Sequence, residues 1–319
     1  MWQASIGSPL LWIGFVVFVL AMLAVDLGVF HRKAHEVGVK EAAIWSMVWV
    51  ALAAAFNLGV YAWFGADKAL EFTTGYLLEK ALAVDNIFVF VVIFAAFAVP
   101  AAYQHRVLFW GVLGALVMRA AFIFAGGALL QRFHWTIYLF GAVLVVTGIK
   151  LLVQRNHPVH PERNPLVRGF RRVFPMTSDF IGDKFLVRQA GRLLVTPLLL
   201  ALVAVEVSDL VFALDSIPAI FAVTMDPFIV FTSNVFAILG LRSLYFLLAG
   251  VIERFRYLKV GLAVVLVFVG AKMVLLDVVK VPIGLSLAII VGILAVAVLA
   301  SPRRSSAPAS PVAGEAAQG

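Results

Sequence analysis

Cysteine is absent from the 319-residue chain. Its absence excludes disulfides, thiol redox chemistry, iron–sulfur clusters and metal sites with cysteine ligands. Charged residues are also scarce at 13% of the chain, whereas a soluble domain is about one quarter charged. The six histidines lie in loops or at the ends of apolar stretches, which disfavours haem, copper and conventional zinc sites. Any metal site in this chain therefore has to rely on oxygen ligands.

Hydrophobic residues are what the chain has in excess, at 63% of the total. Apolar runs of ~20 residues recur along the whole length, as in a polytopic helical membrane protein. We therefore predict an all-α fold with about nine transmembrane helices, in which the lipid bilayer is a partner. Their approximate cores are residues 10–30, 42–64, 72–99, 107–130, 135–153, 193–223, 228–252, 258–278 and 282–300.

The basic residues are distributed unevenly between the loops. The net charge is +8, yet Lys and Arg lie in short loops between apolar runs, which argues against nucleic acid as a partner. Only Lys68, Arg132 and Lys280 fall in the loops of one side, and most other basic residues fall on the opposite side. Because cytoplasmic loops are enriched in Lys and Arg, we predict an N-terminus outside the cell and a cytoplasmic C-terminus.

Two polar segments interrupt the apolar runs and match one another. They are Glu-Lys-Ala-Leu-Ala-Val-Asp-Asn-Ile at 79–87 and Asp-Leu-Val-Phe-Ala-Leu-Asp-Ser-Ile at 209–217. A carboxylate at bilayer depth costs roughly 2.5–3.5 kcal/mol on insertion scales, so such residues usually serve a function. Oxygen ligands suit Mg²⁺, Ca²⁺ or Mn²⁺ and do not distinguish among them. The predicted metal ligands are Glu79, Asp85, Asn86, Glu206, Asp209, Asp215 and Ser216.

The similarity between the two segments extends into a longer internal repeat. Arg119 matches Arg242, and the Gly-Ile-Lys at 148–150 matches the Gly-Ala-Lys at 270–272. Each unit contains three predicted spans, and an odd number of spans forces the two units into opposite orientations. This is the inverted-repeat plan of many secondary transporters, in which the site lies at the repeat interface. The predicted organisation is a transmembrane domain over 1–300, with repeats at about 72–153 and 193–278, a cytoplasmic linker at 154–192, and a disordered cytoplasmic tail at 301–319.

Helix geometry sets a condition on the predicted metal site. On a regular helix Asp209 and Ser216 share a face, while Asp215 lies about 120° away. A local break would let these groups converge. Pro218 supplies one in the second repeat, because it cannot donate a hydrogen bond to Leu214 and its ring crowds that carbonyl. We therefore predict a broken helix there, with freed carbonyls as additional ligands.

A structural interpretation of the acids competes with the metal site. Glu79 or Asp85 could form ion pairs with Lys80, Arg119 or Arg242 that only hold the helices together. The clustering of polar groups in two equivalent spans favours a functional site. We expect the three basic residues to balance the acids when no cation is bound. Anion transport by the arginines is disfavoured because acids outnumber them. The sequence shows no combination of nucleophile and base that would indicate an enzyme, and we expect no prosthetic group.

The motifs around these acids resemble those of a known family. The matching stretches are residues 75–86, 206–220, 226–230 and 234–242, and the resemblance runs from roughly the first span to the ninth. They are similar to the TerC family of bacterial integral membrane proteins, and especially to its Alx branch. The resemblance implies an inner-membrane protein of metal homeostasis, with manganese export as the activity of that branch. The family name comes from tellurium resistance, and some members are named redox modulators.

Two functional hypotheses follow from the sequence and the resemblance. The first is a secondary transporter that exports a divalent cation, Mn²⁺ above others, by alternating access. Exchange of protons for metal at the acids would couple this export to the proton gradient. The second is a non-transporting membrane component of a tellurite- or stress-resistance complex that docks through the 154–192 loop. The sequence leaves the oligomeric state open and is compatible with a homo-oligomer.

Overall fold

A computed structural model describes residues 5–30, 38–133, 135–153, 169, 173–189, 191–249, 257–279 and 281–301, with only the backbone at 26–30, 85, 131 and 259. Within these ranges the chain forms ten helices and one small β-hairpin. The elements are α1 (Pro9–Phe30), α2 (Val39–Phe64), α3 (Ala66–Ala96), α4 (Ala101–Arg132), α5 (Thr136–Val153), β1 (Leu186–Gln189), β2 (Arg192–Val195), α6 (Pro197–Phe221), α7 (Pro227–Leu239), α8 (Leu241–Leu248), α9 (Leu258–Val274) and α10 (Ile283–Leu299).

The prediction of an all-α polytopic membrane protein is confirmed. In the described part of the chain, α2, α4, α5 and α6 are long and apolar enough to cross a membrane, and α7 with α8 passes the same test as a bent pair. α1, α9 and α10 contain shorter apolar helices. Each of the nine predicted spans coincides with a helix or with the bent pair, while the number that cross the bilayer stays a prediction.

The break in the second half lies in a different helix from the one predicted. α6 continues through Pro218 and ends at Phe221. Pro218 lies in the last turn, so few helical residues follow the hydrogen bond that it removes. The chain bends instead by 41° between α7 and α8, at Gly240. The prediction of a broken helix at Pro218 is therefore wrong.

Close contacts define the relative directions of the central helices. α4 and α6 run parallel, because Gly111 lies against Val205 and Gly126 lies against Phe221. α3 and α7 also run parallel, because Gly75 lies against Ser233 and Lys80 contacts Ala237. α3 and α4 are joined by a short connection and run in opposite directions. It follows that α3 and α6, which begin the two predicted repeats, are antiparallel.

Glycines bring α5 and α9 into backbone contact. A Cβ atom at Gly141 would lie 2.9 Å from the carbonyl oxygen of Gly270, and one at Gly148 would lie 2.7 Å from that of Ala263. As residue numbers rise along α5 they fall along α9, so these two helices are also antiparallel. Antiparallel first and third helices are what an inverted repeat requires, and the repeat itself stays a prediction.

The predicted linker and the start of the sixth span differ from expectation. Residues 186–195, assigned partly to a polar loop and partly to a span, form the antiparallel hairpin β1–β2. Gly191 adopts φ +77° in its turn, a conformation that glycine adopts without steric cost. The preceding segment docks on the start of α4, where Arg106 forms an ion pair with Asp183 and its guanidinium lies 5.3 Å from the Phe185 ring centre. α6 then begins at Pro197, a favoured residue for a first helical turn.

Candidate functional site

Arg119 lies at the centre of a buried polar cluster between four helices. It projects from α4 and is surrounded by Glu79 of α3, Asp209 and Ser216 of α6, and Asn234 of α7. None of these five residues is more than 2% exposed. Glu79 and Asp209 occupy matching positions in the two acidic segments, so the first helices of both predicted repeats contribute one carboxylate each.

The guanidinium of Arg119 binds both carboxylates. Its Nη1 forms a close ion pair with Glu79 Oε1. On the other side, Nη2 lies 3.3 Å from Asp209 Oδ1 and Nε lies 3.5 Å from Asp209 Oδ2. A planar guanidinium with several donors suits this bridging role better than an ammonium group does. Glu79 and Asp209, two of the carboxylates predicted as metal ligands, are thus held together by the positive charge of Arg119.

Two uncharged side chains complete the cluster. Arg119 Nη1 donates to Ser216 Oγ at 3.2 Å and to Asn234 Oδ1 at 3.4 Å. The Asn234 amide nitrogen in turn donates to Glu79 Oε2 at 3.2 Å. All acceptors in the cluster are oxygen atoms. Asn234 was not among the seven predicted ligands, because it lies outside the two acidic segments of the sequence.

The buried cluster contains one more negative charge than positive charge. Two carboxylates and one guanidinium carry a formal net charge of −1. Buried charges cost several kcal/mol each in desolvation, a cost that close pairing and hydrogen bonds offset. Removing one partner of such a set is strongly unfavourable unless another cation replaces it. The cluster therefore has the charge and the donor atoms to accept a cation in place of Arg119.

Glu206 lies next to the cluster on α6, three residues before Asp209. Its carboxylate packs against the backbone of Gly114 on α4, where any Cβ atom would overlap it. The side chain is half-buried and forms no hydrogen bond or ion pair with a described residue. Gly114 thus creates the space that this acid occupies, a role that the sequence did not indicate.

Asp215 is separated from the buried cluster. Because α6 is regular through this region, Asp215 points away from Asp209 and Ser216, as helix geometry requires. It accepts a hydrogen bond of 2.9 Å from the hydroxyl of Thr147 on α5. Of the matching pair in α3, Asn86 is buried at 3% exposure, and the side chain of Asp85 lies outside the described residues. The structure therefore does not bring all seven predicted ligands together.

Lys80 is placed at the bend between α7 and α8. Its ammonium nitrogen donates to the carbonyl oxygen of Ala237 at 3.2 Å and would lie 2.7 Å from a Cβ atom at Gly240. A straight helix would pair that carbonyl with the amide of Leu241. Lys80 therefore caps a broken helix, whereas the sequence suggested that it balances the acids. Arg242 is half-buried in the first turn of α8, directly after the bend.

A second polar group lies at the end of the bundle where α3 and α7 begin. Glu71 accepts hydrogen bonds from Lys68 at 2.9 Å and from Thr224 at 2.5 Å. Asp226 caps α7 by accepting from the amide of Phe228 at 3.0 Å and lies 3.6 Å from Lys68. Lys68 and Glu71 line a cavity of about 590 Å³, together with Asp67 and Lys272. The sequence placed no functional residue here.

Metal-binding geometry of the usual kind does not occur within the described ranges. No group of three or more His, Cys, Asp or Glu side chains is arranged there to hold a metal ion. In the buried cluster, two acids are drawn to Arg119, and the other oxygen donors come from Ser216 and Asn234.

Comparison with known proteins places this architecture in a family. Residues 64–307 match the model of the integral membrane protein TerC family. An uncharacterised membrane protein of Myxococcus xanthus is 62% identical over 297 residues, which is 93% of each chain. Alx of Escherichia coli K12, named a membrane-bound redox modulator, is 51% identical over 91% of this chain and 93% of its own. A membrane protein of Rickettsia bellii is 40% identical over 91% of this chain and 96% of its own. No solved structure matches. The chain, with its multi-pass helical bundle and buried acidic cluster, belongs to the TerC family of integral membrane proteins.

Proposed function

We propose that this protein is a secondary transporter, and no enzyme, that exports a divalent metal cation, with Mn²⁺ as its preferred substrate. The observation that carries the proposal is the convergence of Glu79 and Asp209 on Arg119. Two equivalent acids from antiparallel helices meet in a fully buried position. Intramembrane acids facing the interior of a bundle are typical of ion pathways.

In this proposal Arg119 is a tethered substitute for the transported cation. When the guanidinium withdraws, Glu79 and Asp209 present a formal charge of −2, which a divalent cation neutralises. The hydroxyl of Ser216 and the amide oxygen of Asn234 supply further oxygen ligands of the kind that Mn²⁺, Mg²⁺ and Ca²⁺ accept. When the cation leaves, Arg119 returns and prevents two carboxylates from remaining buried without a counter-charge.

The preference for Mn²⁺ rests on the family resemblance, since oxygen ligands alone do not select it. The name redox modulator belongs to the relatives, and thiol chemistry cannot support such a role here because the chain has no cysteine. Rocking of the two antiparallel halves about the cluster would alternate its access to the two sides. We place the protein in the bacterial inner membrane, with the N-terminus outside and the C-terminus in the cytoplasm.

Coupling to protons is assigned to Glu206. This acid has no partner among the described residues and lies one turn from Asp209 on the side where α6 begins. A carboxyl group in that position can take up a proton as the metal leaves the neighbouring acids. The same position would let Glu206 receive the cation first from the cytoplasm. In this proposal Asp85, Asn86 and Asp215 bind the cation in a different state of the transport cycle, after α3 and α6 have moved.

Metal flux in reconstituted vesicles tests the proposal. Glu79→Gln and Asp209→Asn keep the size of each side chain and remove its charge. Each should lower Mn²⁺ flux by at least about tenfold, because even groups that merely support a metal ligand cost roughly 10–100-fold when removed. Asp179→Asn is the matched control, since this exposed acid lies beside the hairpin and outside the cluster, and it should leave flux unchanged.

The same vesicles measure selectivity across Mn²⁺, Mg²⁺, Ca²⁺ and Zn²⁺. Absence of flux for every ion in the unaltered protein would refute transport and favour the second hypothesis, a non-transporting component of a tellurite- or stress-resistance complex. Unimpaired flux in both Glu79→Gln and Asp209→Asn would retain transport but reject the cluster as its site.

A further inference from the structure

Two close helix contacts enclose the buried cluster, one on each side. Gly75 on α3 packs against Ser233 of α7 and Ile220 of α6; we call this the outer contact. A Cβ atom at Gly75 would lie 2.8 Å from Ser233 Oγ and 3.7 Å from Ile220 Cγ2. On the other side Gly111 of α4 packs against Val205 of α6, with 3.1 Å between a Cβ there and Val205 Cγ1. This is the inner contact.

The two contacts occupy matching places in the halves of the molecule. Gly75 lies four residues before Glu79, and Val205 lies four residues before Asp209. Each contact is therefore one helical turn from one acid of the cluster. Because α3 and α6 are antiparallel, these turns extend toward opposite faces of the membrane. In each contact a glycine lets the neighbouring helix approach more closely than a residue with a Cβ atom would allow.

A cavity lies about one helical turn from the outer contact, on the side away from the cluster. The 590 Å³ cavity is lined by Glu71, which is one turn from Gly75, and by Ala222, two residues beyond Ile220. Its polar lining of Asp67, Lys68, Glu71 and Lys272 is compatible with water and ions. The outer contact thus stands between this cavity and the cluster. Ser233, which forms it, is fully buried and adjoins Asn234 of the cluster.

We propose that the outer and inner contacts are the two gates of the cluster and that they open alternately. Opening the outer contact joins the cluster to the cavity, and opening the inner contact joins it to the side where α6 begins. The glycines are required because a side chain at either position would hold its gate apart. The gates belong to the proposed transport site. Of the tests below, only the flux measurement depends on the proposed function.

A single reporter thiol tests the gates without any metal flux. The chain has no cysteine, so Ser216→Cys introduces one thiol into the cluster with little change in size. Addition of Gly75→Ala should make this thiol react about tenfold faster with a membrane-impermeant thiol reagent applied from outside, equivalent to roughly 1.4 kcal/mol of destabilisation of the closed gate. Gly111→Ala should have the same effect from the inside only.

Gly127→Ala is the matched control for the added methyl group. Gly127 is also buried, but a Cβ atom there would make an ordinary contact of 3.6 Å with Phe221, so labelling should stay at the rate of the reporter alone. Labelling of Gly75→Ala and Gly111→Ala that is no faster than the control, or equally fast from both sides, would overturn the gate assignment.

A disulfide tests the outer gate by joining its two helices covalently. A Cβ atom at Gly75 would lie 3.3 Å from the Ser233 Cβ, close to the roughly 3.5–4.5 Å of a disulfide. In the double variant Gly75→Cys with Ser233→Cys, oxidation should lower Mn²⁺ flux below that of the reduced double variant and a reductant should reverse the loss, whereas either single variant should not respond. Undiminished flux in the oxidised pair would reject the gate. A lack of flux in the unaltered protein would refute transport and leave the labelling result to decide the gates.

Discussion

Arg119 is the residue on which the buried cluster depends. It contacts side chains from three other helices, and each of those contacts is with an oxygen acceptor. If the acids serve only to hold the helices together, an ion pair between Glu79 and Arg119 is expected, and this pair is present. The structural and transport interpretations differ in what happens when Arg119 is removed, because only a transport site should accept a metal ion in its place.

Replacement of Arg119 by methionine separates these interpretations. Arg119→Met leaves two buried carboxylates without a counter-charge, which should destabilise the protein by about 3–5 kcal/mol. Mn²⁺ should then stabilise the variant more than it stabilises the unaltered protein, since a ligand that binds only the folded state raises its stability. Thermal unfolding in detergent, with and without Mn²⁺, measures both effects.

The control for this experiment is Arg132→Met. Arg132 is exposed at the end of α4, so the same loss of charge and gain of a thioether should change neither stability nor the response to Mn²⁺. An Arg119→Met variant that is destabilised but indifferent to Mn²⁺ would support the purely structural ion pair.

At the scale of secondary structure, the bend between α7 and α8 is the main irregularity of the second half. Gly240 permits it, and Lys80 from α3 donates to a carbonyl that the bend exposes in the last turn of α7. A cation near the C-terminal end of a helix also interacts favourably with the helix dipole. The bend is thus hydrogen-bonded to α3, the helix that carries Glu79. A movement of α3 would therefore alter both the bend and the buried cluster.

Removal of this cap should weaken the fold. Lys80→Met keeps a long apolar stem but leaves the carbonyl of Ala237 without its donor, which should cost about 1–3 kcal/mol because the group is buried. Thermal unfolding measures the loss. Lys184→Met, in the exposed segment before β1, is the matched control and should have no measurable effect. Equal stability of the two variants would show that the bend does not need Lys80.

For the molecule as a whole, the helix directions follow from contacts and the membrane orientation from charge. α4 and α6 are parallel, α5 and α9 are antiparallel, and the hairpin lies at the end where α4 and α6 begin. The predicted linker that precedes the hairpin is rich in Lys and Arg, so the distribution of charge predicts that this end faces the cytoplasm.

Cysteine substitutions at the two ends of the bundle test this orientation. Asp67 and Asp179 are both exposed, the first at the start of α3 and the second beside the hairpin. With an impermeant thiol reagent on intact cells, Asp67→Cys should be labelled, and Asp179→Cys should be labelled only after the membrane is opened. The unaltered protein, which has no thiol, provides the background. The reverse pattern would invert the predicted topology.

Much of the fold was predictable because hydrophobic length is a local property. Runs of about 20 apolar residues located each helix or bent pair of the described chain. The ends were less predictable: α3 begins at Ala66, where Asp67, Lys68 and Glu71 form a polar helical turn outside the apolar window. The hairpin at 186–195 was missed because its short strands resembled the loop and the following span.

The membrane class, the location of the acids and the matching of Glu79 with Asp209 could all be read from the sequence, because composition and internal similarity are properties of the chain. Which of those acids meet depends on how the helices pack. Glu79 and Asp209 converge on Arg119, while Asp215 turns to Thr147, because a regular α6 directs side chains 120° apart to different neighbours. Close glycine contacts between helices distant in sequence set which of those neighbours each acid reaches.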